Sequence, residues 1–126
     1  MTTSTKSVRG LGAAREGTKH HINQRVSAIA LLFLVPWFLY SIAFAFNAGF
    51  EGASAWIVQP INAILFILMA CASLYHMRLG LNVVIEDYIQ KSGMRQTLLI
   101  ANTFLVAVLI VAVTLSVLKL WIGAGA

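Results

Sequence analysis

Apolar and polar positions in this chain separate into long blocks instead of alternating residue by residue. No charge falls between Arg25 and Glu51, and Val26 to Phe46 is almost wholly apolar. Glu51 to Arg78 is again free of fixed charge between its ends, and Thr97 to Leu118 repeats the pattern. Each block meets the requirement of about 20 apolar residues for crossing a hydrocarbon core of roughly 30 Å. Backbone groups in lipid must bond internally, so each block is expected to be a helix. The predicted spans cover about 26–47, 56–82 and 96–120. The fold class is therefore all-α, an integral membrane domain over 26–126 behind a basic segment over 1–25. Pro36 falls inside the first span and predicts a kink, because proline removes a donor and crowds the preceding turn.

Charge gives the direction. Lys6, Arg9, Arg15, Lys19 and Arg25 precede the first span, the first loop (Asn47 to Ala55) carries only Glu51, and the second carries Lys91 and Arg95. Lys and Arg are retained on the cytoplasmic side, which predicts an inside N-terminus and an outside C-terminus. Lys119 runs against this trend but can snorkel to headgroups beside Trp121. Trp37 lies too deep in span one to anchor at an interface, whereas Trp56 and Trp121 suit the outer boundary. A cleaved signal peptide is the competing reading of span one, with Ala43-Phe44-Ala45 as a small-residue site. The long charged region and long apolar run argue against it, and a short flexible tail explains the Ser/Thr/Arg-rich start better than a presequence. No internal repeat suggests a transporter built from two halves. Thr2 to Gly17 is expected to be mobile or partner-bound.

Composition agrees with this reading. Of 126 residues, 60% are hydrophobic and 10% charged, with a mean hydropathy of +0.85; a soluble domain keeps about a quarter of its residues charged. The net charge of +5 is concentrated ahead of the first span, which suits anionic lipid or an acidic partner face and not nucleic acid. The single cysteine, Cys71, excludes a disulfide framework or a thiolate cluster.

Polar residues inside spans are costly and therefore informative. The richest stretch runs from Ser73 to Asn82 and on to Glu86-Asp87-Tyr88. His76 and Gly80 are one helical turn apart and share a face. Asp87 returns nearly to that face about 16 Å nearer the cytoplasm, while Arg78 points elsewhere. A neutral imidazole offers a lone pair to a metal, haem iron commonly takes such a ligand, and Gly80 would let a flat macrocycle approach the backbone. The plainer alternative is a histidine hydrogen-bonded to a neighbouring helix. No second deep histidine exists, because His20 and His21 precede span one. Asp87 and Tyr88 either open a solvated loop or present a carboxylate and a phenol to a quinone at the membrane boundary. Arg25 is either a positive-inside anchor or a partner for an anionic cofactor group such as a propionate.

The run His76-Met77-Arg78-Leu79-Gly80-Leu81-Asn82-Val83-Val84-Ile85-Glu86-Asp87-Tyr88 resembles the second-helix signature of the hydrophobic membrane anchor (D-type) subunits of succinate dehydrogenase, complex II. Gly10-Leu11-Gly12, Glu16-Gly17, His20 and Gln24-Arg25-Val26-Ser27-Ala28 resemble the N-terminal region of the same family, in particular its α-proteobacterial type. The resemblance implies that His76 is an axial ligand to haem b, its iron taking the other ligand from the companion (C-type) anchor. It further implies that Tyr88 bonds the ubiquinone carbonyl with Asp87 before it, and that Arg25, with His20, lies near the haem propionates and the quinone.

On this reading the chain is a non-catalytic anchor in a bacterial inner membrane, joined to the companion anchor, the iron–sulfur subunit and the flavoprotein subunit. Arg9 to Arg25 is too basic and too poor in apolar residues to fold alone, and is expected to pack on those partners. A small transporter subunit is the main competitor, but Glu86 and Asp87 lie at the boundary and not at midplane, where proton-coupled transport needs them. A structural membrane subunit without a redox role is the third reading.

Overall fold

The structure, a computed structural model, describes residues 11–124, with side chains from residue 17 onward. Thr2 to Gly10, part of the segment expected to be mobile or partner-bound, lie outside the described residues. The chain forms α1 (Leu11–Asn47), α2 (Gly49–Ile57), α3 (Pro60–Tyr88) and α4 (Ser92–Ala124), with no strand among the described residues. Three of these helices are long and apolar enough to cross a membrane, over Gly17–Asn47, Pro60–Tyr88 and Ser92–Ala124. At 29 residues, even the shortest is about 44 Å long, which exceeds the hydrocarbon core and leaves its ends in the headgroups.

Each boundary has a local cause. α1 is already helical at Leu11, the first described residue, well before the apolar block, so helix continues from the span into the basic segment. It runs unbroken through Pro36, at the loss of one backbone donor. Gly49 carries the only positive φ among the described residues, +72°, a conformation that glycine adopts without steric cost. There the chain turns into α2, so the expected first loop is largely helical. Gly52 packs so closely in α2 that an added Cβ would collide with Ala48 Cβ. Pro60 opens α3 at its first turn behind an extended Gln59, the position where a missing N–H costs least. The Asn62 amide donates to the Trp56 carbonyl at 2.9 Å and ties the start of α3 back to α2.

α3 is the central helix: it packs against both α1 and α4, while among the described residues α1 and α4 make no close backbone approach to each other. The pairings are antiparallel, with Ser27 opposite His76 and Phe38 beside Phe66 on one side. On the other side Asn102 meets Asn82, and Trp121 Nε1 donates to the Val58 carbonyl at 2.8 Å. Lys19, Lys91 and Arg95 therefore share one end of the bundle, and Glu51 lies at the opposite end. Trp56, expected at the boundary, instead packs at the depth of Trp37, 5.7 Å from it and 6.4 Å from Phe66 between ring centroids, because α2 turns back along α1. Between the halves of α1 and α4 nearer Glu51, α2 borders an apolar cavity of about 600 Å³ lined by Phe38, Phe50, Trp56 and Val117, among others.

Few apolar side chains are buried: Ala45, Ala63, Met69, Leu79, Val106 and Val117 form the core. Large residues such as Leu32, Phe33, Phe104 and Val108 lie mostly exposed. In water this surface would be prohibitively costly, at about 25 cal/mol per Å²; in lipid, or against another helical chain, it is the required exterior.

Candidate functional site

The polar stretch of α3 divides between two neighbours, as a helical repeat of about 100° per residue dictates. His76 lies on the face toward α1, and Arg78 and Asn82 lie on the face toward α4. Ser27 of α1, 6% exposed, brings its Oγ to 2.9 Å from His76 Nδ1. The same Oγ lies 2.9 Å from the Gln24 carbonyl, one turn back in its own helix. His76 Nε2 makes no hydrogen bond to any described residue and is not among the sealed, unpartnered atoms. The cross-helix bond considered for His76 from sequence thus exists, and it occupies one ring nitrogen while leaving the other open.

Gly80 lies one turn nearer the basic end, and a Cβ built there would meet no atom within 4 Å. Its bare backbone fronts open space, not a tightly packed neighbour. On α1, His20, Gln24 and Ser27 are spaced to share one face. His20 Nε2 and Gln24 Oε1 are sealed from solvent without a partner among the described residues, an arrangement that normally calls for a bonding group from elsewhere. The open imidazole nitrogen can hold a metal such as haem iron, and the bare backbone at Gly80 leaves room beside it.

The remaining expected residues are not brought together among the described residues. Arg25 is exposed and lies two residues from Ser27, about 200° around α1. By the antiparallel register it is level with Arg78. Asp87 is exposed, and Tyr88, the last residue of α3, is 79% exposed. No hydrogen bond or ion pair among the described residues joins His20, Arg25, Asp87 or Tyr88 to one another.

Sequence reasoning did not single out Asn102. It is 5% exposed and donates to the Arg78 carbonyl at 3.1 Å and to Asn82 Oδ1 at 2.8 Å. Next to it, Arg78 Nε donates to Thr103 Oγ1 at 3.3 Å. A lone asparagine inside the third apolar block was the available signal, because intramembrane polar groups seek partners across helices. Ser27 was present in the Gln24-to-Ala28 run but carried no sign of its partner 49 residues away.

Three long apolar helices, with an imidazole tethered inside the bundle and polar residues at one end, define a multi-pass helical membrane protein. The model of the succinate dehydrogenase/fumarate reductase transmembrane subunit family matches residues 1–118. The chain is 32% identical over 122 residues to the succinate dehydrogenase hydrophobic membrane anchor subunit of Paracoccus denitrificans, covering 97% of this chain and 94% of that one. It is 37% identical over 106 residues to the subunit of the same name from Rickettsia bellii, covering 84% and 85%. With the Rickettsia conorii subunit it shares 35% over 102 residues, covering 80% and 81%. The chain belongs to the succinate dehydrogenase/fumarate reductase transmembrane subunit family, as a hydrophobic membrane anchor of the α-proteobacterial type.

Proposed function

We infer that this chain anchors succinate dehydrogenase in a bacterial inner membrane, supplies one axial ligand to haem b, and contributes to the ubiquinone-reduction site. The observation that carries this reading is the state of His76: an imidazole within a span, bonded through Nδ1 and open at Nε2, with bare Gly80 one turn away. Haem, when bound, supplies a one-electron carrier within the membrane. A further ligand would come from the companion anchor, as the family resemblance implies, and His20 and His21 lie ahead of the apolar run of span one. Arg25 and His20 would face the propionates or the quinone headgroup.

Tyr88 would donate its phenolic proton to a quinone carbonyl, and Asp87 would pass protons from water at the membrane boundary. Their exposure suits a pocket completed by the iron–sulfur subunit and the companion anchor. Succinate oxidation itself belongs to the flavoprotein subunit, because this chain carries neither a nucleotide fingerprint nor clustered cysteines. The concentration of Lys and Arg at the end bearing α1's start and the α3–α4 turn favours the cytoplasm for that end.

The test is co-purification. A complex isolated through an affinity tag on this chain should carry succinate–quinone reductase activity and a dithionite-reduced b-type band. Isolation of an intact complex lacking both would contradict the reading.

A further inference from the structure

We propose that Ser27 is a positioning residue that selects the ring tautomer of His76, holding the proton on Nδ1 so that the Nε2 lone pair is free for iron. The inference rests on the proposed ligation of haem by His76 and deepens it. Ser27 Oγ lies 2.9 Å from two atoms, the Gln24 carbonyl oxygen and His76 Nδ1. A serine hydroxyl has one proton to give and lone pairs to accept with, whereas a carbonyl oxygen only accepts. If the hydroxyl proton goes to Gln24, Ser27 must accept from the imidazole, and Nδ1 must carry hydrogen. If the proton goes instead to Nδ1, two lone-pair oxygens face each other at 2.9 Å with no proton between them.

Burial decides between the two. Ser27 is 6% exposed within a membrane span, where water cannot screen that repulsion and an unmatched polar contact is at its most costly. Only the Nδ1–H tautomer bonds all three atoms. Gln24 and Ser27 belong to one helical turn, so the acceptor is preset by α1 before any other group arrives. A ligating histidine typically donates its second N–H to such an acceptor, which fixes the ring plane and raises its basicity toward the metal.

The consequence can be read in the redox equilibrium of the haem. A more basic ligand favours the ferric state, so loss of the acceptor should raise the midpoint potential. In the purified complex, Ser27→Ala should shift the ferric-to-ferrous equilibrium about tenfold toward ferrous, or about 59 mV for one electron, and should alter the low-spin electron paramagnetic resonance signal. Ser27→Thr keeps the hydroxyl and should return both to near the wild-type values, which a purely packing role would not require. An unchanged potential and signal in haem-loaded Ser27→Ala would overturn the proposal. If that variant fails to assemble, Ser27→Cys offers a weaker acceptor in its place. A partial upward shift there would support the proposal, and a wild-type potential would overturn it. A b-type spectrum unaffected by His76→Leu would instead remove the ligation reading on which the proposal stands, so the two failures are distinguishable.

Discussion

Asn102 and Asn82 meet across the α3–α4 interface, with the Nδ2 of one donating to the Oδ1 of the other at 2.8 Å. The same Asn102 amide donates to the Arg78 carbonyl, so one buried side chain on α4 binds α3 at two points. Between helices in lipid there is little hydrophobic drive, and bonds of this kind average about 0.6 kcal/mol and reach about 1.7. Asn102→Leu should preserve volume and lose both bonds, lowering stability by about 1 kcal/mol. Thermal inactivation of the purified complex reads this directly. Asn102→Ala should cost more, because it adds a cavity to the lost bonds.

The three spans were legible because charge is excluded from uninterrupted apolar runs, a constraint imposed by lipid and independent of tertiary contacts. α2 was not. Gly49 to Ile57 is short and glycine-containing, and reads as a loop until Gly49 reverses the chain and Trp56 finds Trp37 and Phe66. The helical stretch of α1 ahead of the apolar block escaped for a related reason, since the apolar pattern marks where lipid begins and not where helix begins. Within the site, the shared His76–Gly80 face followed from helical spacing alone. Ser27 and Asn102 required the register between helices, which residues 49 and 20 positions apart do not disclose.

Topology is open to chemical labelling. Glu51 and Gln90 are both exposed and sit at opposite ends of the bundle. In a Cys71→Ser background, Glu51→Cys should react with an impermeant maleimide from the periplasm and Gln90→Cys only from the cytoplasm. Labelling of both from one side would contradict three crossings.

Tyr88→Phe tests the proposed quinone role separately from the proposed haem role. A phenol donating to the quinone oxygen bonds more strongly as negative charge develops there, so it aids reduction as well as binding. Removing one such donor costs about 2 to 4 kcal/mol at comparable sites. Tyr88→Phe keeps the ring and should lower quinone reduction by at least about tenfold, or roughly 1.4 kcal/mol. Succinate oxidation with an artificial acceptor and the haem spectrum should both persist. Asp87→Asn should slow quinone reduction with a smaller effect on KM, as expected of a proton relay. Normal quinone reductase activity in Tyr88→Phe would leave Tyr88 an ordinary boundary residue.

The proposed ligation of haem iron by His76, through the nitrogen that Ser27 leaves free, underlies both the redox role proposed for the anchor and the tautomer proposed for the ring. It is tested by the dithionite-reduced visible spectrum and midpoint potential of the complex purified with His76→Leu. Loss of the b-type band is expected, or an altered band with a shifted potential. Activity is a poorer readout, because a direct electron route from an iron–sulfur subunit to the quinone would bypass the haem. A complex carrying His76→Leu with the wild-type band at the wild-type potential would contradict ligation by His76.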